Sequence, residues 1–390
     1  MKTKKVNYDE YVLVLNAGSA TLKWALFERD GLKEIGRGVV ERIGEPNSFA
    51  EWRLQGKLGV KHIAILNQRQ AVGYVVKMLA WHHLLEQVKL VGHRLVHGGS
   101  RFNIPQALTA AGLKGLARLK DLAPLHNPVE LEVVKVARQI LPKVKQVAVF
   151  DTAWFARLPE ESSTYALPYK LVEKYDLRRY GFHGLSHSYV VQEAARRLGK
   201  PLEQLNLITC HLGSGSSVAA VRGGRPIDIS LGFTPLEGLV MGTRAGDLDP
   251  GLVLYLLRQR GLNAAKLEKL LNHESGLKGI AGVADMREVL VRAGYEVLGF
   301  KTPSKVSSPE RRRAQLALKV FLHRLRKYIG AYAAILGRVD AIVFTGGIGE
   351  RNEVIRNLTM QDLPTLKTVL VMAIPTNEEL AIAREITKSV

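Results

Sequence analysis

The sequence predicts an α/β fold made of two duplicated domains, and three observations carry that expectation. The chain has 390 residues, too many for one hydrophobic core and enough for two of roughly 150–200 residues each. A strand, a loop of small polar residues and a second strand occur in that order near residues 11–28, and again near 205–222. Each half then continues with helical stretches separated by short apolar runs, the alternation that builds layered α/β domains. At 46% hydrophobic and 24% charged residues, the composition is that of an ordinary globular protein.

The elements read as follows. Residues 11–15 form a short apolar run rich in β-formers, a buried strand. It enters the turn Asn16-Ala-Gly-Ser-Ala-Thr21, and residues 23–28 return as the second arm of a hairpin. Helical patterns follow near 66–86, 107–120 and 128–140, the last opening at Asn127-Pro128, where Asn caps and Pro suits the first turn. Strand-like runs lie at 90–96 and 146–150. In the second half, 205–210 and 218–222 are strands around the loop His211-Leu-Gly-Ser-Gly-Ser-Ser217, and Gly223-Gly-Arg-Pro226 turns the chain into 227–230. Helices are expected near 251–260, 264–272, 285–294 and 309–336. A last strand at 340–344 meets Thr345-Gly-Gly-Ile-Gly-Glu350, and a final helix starts near 377. The first ten residues are polar and expected to fray. Domains of 1–152 plus 378–390 and of 153–377 follow from this plan.

Composition removes several function classes. No apolar run reaches the ~20 residues that a membrane-spanning helix needs. The single cysteine, Cys210, excludes an internal disulfide and a cysteine-rich metal site, which fits a reduced cytoplasm. The net charge of +20 is unusual, but the basic residues are scattered, often beside acidic ones. Without zinc-finger spacing, an aromatic-basic signature or a basic tail, this reads as a solvated basic surface rather than a nucleic-acid site.

The two hairpin loops offer backbone N–H groups and short hydroxyls to a polyphosphate, with Asn16, Ser19, Thr21 and Lys23 in the first and Gly213 and Gly215 in the second. Neither is a G-x-x-x-x-G-K-[ST] loop or a dinucleotide fingerprint. Gly346, Gly347 and Gly349 lie in a strand-to-helix turn suited to a nucleotide phosphate or ribose. Six of the eleven histidines, His93, His97, His126, His183, His187 and His211, fall in turns beside expected strands, and no H-E-x-x-H pattern occurs. Arg94 ends a strand-like run and Arg244 sits in a loop before a helix. Guanidinium groups from different halves would clamp a carboxylate and a phosphoryl group with paired hydrogen bonds. Asp151, just past a strand, is placed to hold Mg²⁺. This organisation, two phosphate hairpins and a late glycine-rich turn, is that of the ribonuclease H-like architecture of actin, Hsp70 and sugar kinases.

The chain resembles the acetate kinase family at Asn16-Ala-Gly-Ser19, Val91-Gly-His-Arg-Leu-Val-His-Gly-Gly99, Ala123-Pro-Leu-His-Asn-Pro128, Val147-Ala-Val-Phe-Asp-Thr-Ala153 and Arg179-Tyr-Gly-Phe-His-Gly184. The match continues at Gly232-Phe-Thr-Pro-Leu-Glu-Gly238, Met241-Gly-Thr-Arg244, Thr345-Gly-Gly-Ile-Gly-Glu350 and Pro375-Thr-Asn-Glu-Glu379. These segments keep the family's order and span nearly the whole chain.

The resemblance implies reversible transfer of the ATP γ-phosphoryl group to acetate, giving acetyl phosphate and ADP. It implies Mg²⁺ (with Mn²⁺ as an alternative) as cofactor, a homodimer, and no nucleic-acid or membrane partner. Arg94 and Arg244 would neutralise carboxylate and phosphoryl oxygens, and Asp151 and Glu378, with Asn16, would hold the metal. His183 would stabilise the phosphoryl group in flight, supported by His126 and His211. Val96, Leu125, Phe182 and Pro235 match the family's methyl pocket; Asp285, Arg287 and Gly347 match its adenosine contacts. A carboxylate acceptor is already ionised at neutral pH and needs no general base, so Asp151 is expected to position metal and not to take a proton. The chain departs from the family's usual residues at Ala20, Thr21, Trp154, Leu185, Ser214 and Arg351. Four alternatives stay open: a propionate or other short-chain acyl kinase, a pyrophosphate-dependent relative, a nucleotide-responsive binding protein on the same scaffold, and, motivated only by the net charge, a nucleic-acid binder.

Overall fold

A computed structural model describes residues 10–119, 127–259, 261–301 and 305–389. The chain divides into two compact units, Met1–Trp154 with Asn377–Val390, and Phe155–Thr376.

In the first unit eight strands form one sheet: β1 (Tyr11–Ala17), β2 (Thr21–Glu28), β3 (Glu34–Glu41), β4 (Phe49–Leu54), β5 (Lys57–His62), β6 (Val88–Leu95), β7 (Gln106–Ala107) and β8 (Lys145–Phe150), in the order β5-β4-β3-β2-β1-β6-β8-β7. β1 is buried on both faces, which explains its unbroken apolar run. The hairpin β1–β2 is antiparallel, and Gly18 N–H closes its turn on the Thr21 carbonyl at 2.8 Å. Gln68 of the helix Gln68–Trp81 fastens this turn by donating from Nε2 to the Gly18 carbonyl at 3.0 Å. That helix buries Val72, Val75, Val76 and Leu79 at helical spacing against Leu13, Leu15 and Val133. The helix Glu378–Lys388 returns to this unit and lies against β6 at Gly92. A Cβ at Gly92 would stand 2.7 Å from Ile386 Cδ1 and 2.8 Å from Ile382 Cγ2, so only glycine allows this approach. The chemical consequence is that Glu378 arrives beside the end of β6.

The second unit holds five strands, β9 (Asn206–Leu212), β10 (Ser216–Arg222), β11 (Arg225–Ile229), β12 (Ala341–Thr345) and β13 (Leu370–Ala373), in the order β11-β10-β9-β12-β13. Ile208, Cys210 and Leu212 pack in one cluster with Ala314, Leu318, Phe321 and Leu325 of the helix Ser308–Leu336. That helix opens with a capping box between Ser307 and Glu310.

The duplication is now explicit in topology. The segment β3-β2-β1-β6-β8 and the sheet β11-β10-β9-β12-β13 each consist of two antiparallel pairings followed by two parallel ones. This is the duplicated ribonuclease H-like arrangement. The structure adds elements that the sequence reading lacked: β3, β4 and β5 fill residues 34–62, the helix Gly184–Leu198 precedes β9, and β13 follows the strand expected to be last. The helix expected over 264–272 is α-helical only over Ala264–Lys269 and widens to a π-turn at Leu270–Glu274. Among the described residues, no helix is long and apolar enough to cross a membrane.

Candidate active site

In the first unit, the parallel strands β6 and β8 carry Arg94 near one strand end and Asp151 just beyond the other. Arg94 donates from Nε at 3.1 Å and from Nη2 at 2.6 Å, both to Asp151 Oδ2. Its Nη1 donates to Glu130 Oε1 at 3.2 Å. The second oxygen of Glu130 accepts the Val96 N–H at 2.8 Å, so one buried carboxylate holds both the guanidinium and the backbone two residues on. Asn16, at the end of β1, donates from Nδ2 to Glu378 at 3.2 Å and to Glu379 at 3.0 Å. Its cross-strand partner on β2 is the exposed Lys23, and Ser19 is exposed on the turn between them. Val96 is buried.

Electrostatics in this cluster are strongly coupled. Burial pushes the Glu130 carboxyl up to about 7, against the pull of Arg94 and of the Val96 N–H. Burial also raises the Asp151 carboxyl, opposed by Arg94 and reinforced by Glu378. For Arg94, burial works against the charge, but Asp151, Glu130 and Glu378 together hold the guanidinium well above its ordinary value.

In the second unit the loop between β9 and β10 is met by histidines and an arginine. A Cβ at Gly215 would lie 3.2 Å from His183 Nε2 and 3.5 Å from Arg244 Nη1, so this glycine leaves the loop tip open to both. Gly213 is likewise 3.7 Å from His211 Nε2 by the same measure. The His183 and His211 rings stack with centroids 4.3 Å apart. His183 precedes the helix Gly184–Leu198 at φ +61°, a left-handed conformation uncommon outside glycine, so local packing holds it against its preference.

A buried hydrogen-bonded chain orients these rings. Ser217 Oγ lies 2.9 Å from His183 Nδ1 and 2.8 Å from His187 Nε2, while His187 Nδ1 lies 2.7 Å from Thr209 Oγ1. Ser186 Oγ bonds His211 Nδ1 at 2.8 Å. Burial, with repulsion from His211, keeps His187 neutral. If Thr209 donates to His187, His187 to Ser217 and Ser217 to His183, the His183 proton stands on Nε2, facing the loop.

Arg244 Nη1 donates to the Pro235 carbonyl at 3.1 Å. No carboxylate among the described residues pairs with it, and burial lowers its guanidinium below the ordinary value. A desolvated cation without a counter-ion is a site prepared for an anion. Its loop is held by the π-turn: Thr243 Oγ1 donates to the Asn272 carbonyl at 2.8 Å and Ala245 N–H to the Leu271 carbonyl at 3.1 Å. Gly276, at φ +63°, is required beneath it, because a Cβ there would meet the Met241 carbonyl at 2.2 Å.

Gly346 turns β12 into the short helix Gly346–Arg351 at φ +74°, where a Cβ would stand 2.6 Å from the Leu212 carbonyl oxygen; a Cβ at Gly349 would lie 3.4 Å from the Cys210 carbonyl oxygen, and nothing stands within 4 Å of a Cβ at Gly347. Asp285 caps the helix Met286–Ala293 and pairs with Arg287 at 2.6 Å, with the guanidinium 5.2 Å over the Phe300 ring. Phe182 is fully buried and Pro235 half-buried. Leu125 and His126 lie outside the described residues.

The structure therefore joins Asn16, Arg94, Asp151 and Glu378 in one cluster, and Gly213, Gly215, His183, His211 and Arg244 in another. Sequence reasoning missed Glu130, Glu379, Ser186, Thr209 and Ser217. Glu130 falls in the first turn of the helix Asn127–Ile140, where an acidic residue reads as a partner for the helix dipole. Only the hairpin alternation of β9 and β10 hinted that Thr209 and Ser217 point to one face.

No group of three or more His, Cys, Asp or Glu among the described residues is arranged to hold a metal by itself. The donors that do converge are carboxylate and amide oxygens, and Arg94 engages only one oxygen of Asp151. That set suits Mg²⁺, which takes one or two carboxylates and completes its shell with water and substrate phosphate.

The family model described as the Acetokinase family matches residues 11–370. The acetate kinase of Geobacillus sp. (strain WCH70) is 41% identical, covering 97% of this chain and 98% of that protein. Among solved structures, a propionate kinase from Francisella tularensis is 36% identical with a TM-score of 0.87, covering 96% of this chain and 98% of that one. The acetate kinase of Porphyromonas gingivalis is 36% identical with a TM-score of 0.83, over 97% and 99% of the two chains. With a family match over most of its length and relatives of this identity, the chain belongs to the acetokinase family, phosphotransferases that use a carboxyl group as acceptor.

Proposed function

We propose that the protein is an acetate kinase that moves the γ-phosphoryl group of ATP reversibly onto acetate by direct in-line displacement. The observation that carries this reading is the state of Asp151. Two N–H groups of Arg94 converge on its Oδ2, so it is committed to an ion pair rather than poised to take a proton from a hydroxyl. An acceptor that is already a carboxylate needs no such base. What it needs is alignment and charge neutralisation around a loose transition state.

Each residue follows from that need. Arg94 keeps N–H groups to receive a carboxylate or phosphoryl oxygen, with the buried Val96 as apolar surround for a methyl group. Arg244, desolvated and unpaired with any described carboxylate, neutralises phosphoryl oxygens. His183 donates from Nε2, its tautomer set by Ser217. The loops at Asn16, Ser19 and Lys23 and at Gly213 and Gly215 bind phosphates, with His211 at the second. Gly346, Gly347, Gly349, Asp285 and Arg287 serve the nucleoside. Asp151, Glu378 and Asn16 would hold Mg²⁺, which supplies neutralisation of phosphate charge when bound.

The propionate kinase among the solved relatives gives a longer acyl chain as the second reading. The helix Pro250–Arg258 leaves Leu252, Leu254, Tyr255 and Leu257 exposed around its circumference, which supports a homodimer through this element. A cytoplasmic location agrees with the free, buried Cys210.

The test is incubation with ATP, Mg²⁺ and hydroxylamine, trapping acyl phosphate as its hydroxamate across formate, acetate, propionate and butyrate, with Arg94→Ala as control. Acetate-dependent hydroxamate that is lost in the variant is expected. No product with any acid, with either ATP or pyrophosphate as donor, would overturn the assignment.

A further inference from the structure

We infer that Glu130 is a positioning residue for the acyl acceptor: it fixes the Arg94 guanidinium and the Val96 backbone as one rigid cradle for the substrate carboxylate. The inference rests on the carboxylate-kinase reading above.

The geometry begins with Arg94. A guanidinium has five N–H donors. Two go to Asp151 Oδ2, from Nε and Nη2, and one goes from Nη1 to Glu130 Oε1. One N–H then remains on each terminal nitrogen, with no further acceptor among the described residues. That pair is what a carboxylate needs for a two-point contact. Asp151 alone would leave the guanidinium anchored on a single oxygen atom and free to swing about it. Glu130 supplies the second anchor, from a different element, the helix Asn127–Ile140.

The same carboxylate does a second task. Oε2 of Glu130 accepts the Val96 N–H at 2.8 Å, so the backbone that presents Val96 is tied to the anchor of Arg94. Asn127, one turn earlier on that helix, receives the His97 N–H at 3.3 Å and donates to the His97 carbonyl at 3.2 Å. The helix start therefore clamps residues 96 and 97 and, through Glu130, the guanidinium two positions before them. Glu130 is buried to 2%, where a carboxyl persists only with partners such as these. A glutamate kept there by packing alone would be replaced at no loss by an apolar residue of similar size. Both of its oxygens are instead aimed at the acyl end of the site.

The position also makes Glu130 a charge setting. Arg94 faces Asp151, Glu130 and Glu378, so carboxylates outnumber the guanidinium around an anionic substrate. The charged groups facing it are Arg94 and Asp151.

Steady-state kinetics on the full chain test this with Glu130→Gln, which keeps shape and one acceptor but loses the charge. The Michaelis constant for acetate should rise by about tenfold or more, the scale of one charge-assisted hydrogen bond, while the constant for ATP stays close to the parent's. If Glu130→Gln does not fold, Glu130→Asp carries the same test, because it keeps the charge but cannot reach both partners at once. An acetate constant equal to the parent's in the variant that folds overturns the inference. So does a matched rise in both Michaelis constants, the signature of general structural damage. A parent enzyme with no acetate-dependent turnover would instead remove the reading on which the inference rests.

Discussion

Replacing Arg94 by methionine should damage stability as well as turnover, and the damage should depend on pH in a direction that the cluster dictates. Methionine fills a similar volume, so the perturbation is loss of the cation. Asp151 and Glu130 would then be buried carboxyls without a counter-ion, at 2% exposure each. Breaking one partner out of such a pair costs about 3–5 kcal/mol. In the parent, Glu130 already titrates near 7 against an ordinary 4.5. A folded pKa above the unfolded one means that the native state binds the proton more tightly. Its stabilising contribution is complete below pH 4.5 and is lost as pH rises through about 7, a swing of about 3 kcal/mol from this group alone. Without Arg94, the folded pKa values of Glu130 and Asp151 both climb further, because the positive charge that pulled them down is gone.

The variant should therefore melt well below the parent at about pH 8.5, by roughly 10 °C on the scale of a domain this size, and approach it at about pH 5.5. Circular dichroism melts of both proteins across that range are the assay. Parallel curves with equal melting temperatures would refute the reasoning, since they would mean that the carboxyls are hydrated or neutral without Arg94. A double variant with Glu130→Gln should recover part of the loss at high pH.

Two other outcomes follow from the histidines. His93 is buried, bonded through Nε2 to Gln146 at 2.8 Å, and its pKa is depressed to about 4 by desolvation. The stability it contributes by staying neutral is present above pH 6.5 and lost as pH falls toward about 4, so His93→Asn should flatten the acid limb of urea midpoints measured between about pH 5 and about pH 7. Ser217→Ala removes the hydroxyl between His183 and His187; kcat should fall by about tenfold to hundredfold, with little change in the Michaelis constant for ATP, as measured by the hydroxamate assay.

How far the sequence reached can be read from particular elements. The two hairpins were legible because β1 and β9 are mostly buried runs rich in β-formers that lead into loops of small polar residues, a pattern with no helical counterpart. The region 34–62 was opaque because β3 contains Gly36 and Gly38, which read as loop. In the sheet both are packing requirements: a Cβ at Gly38 would stand 2.7 Å from Trp24 Nε1, and one at Gly36 would stand 2.4 Å from Leu54 Cδ1. β5 is almost wholly exposed and β13 largely so, which leaves no apolar alternation to detect. In the site, Arg94, Asp151 and Glu378 could be picked out by their places in turns and family motifs. Glu130 and Ser217 could not, because their chemistry comes from residues 36 and 34 positions away in the chain.

The two units divide the electrostatic work unequally. The first gathers Asp151, Glu130 and Glu378 around one guanidinium, with Glu379 held on the Asn16 amide, a cluster short of positive charge that a hard divalent cation would complete. The second presents Arg244 without a carboxylate partner among the described residues, beside a glycine loop and an Nε2 aimed at it, a cluster short of negative charge that phosphate oxygens would complete. Both place these groups at the carboxyl ends of parallel strands, β6 and β8 in one case, β9 and β12 in the other. Duplication explains that shared position, since the same sheet order exposes the same strand ends. It does not explain the opposite signs. Those come from a few side chains that packing alone does not demand, and the cost of burying them is recovered only when each cluster meets its complement.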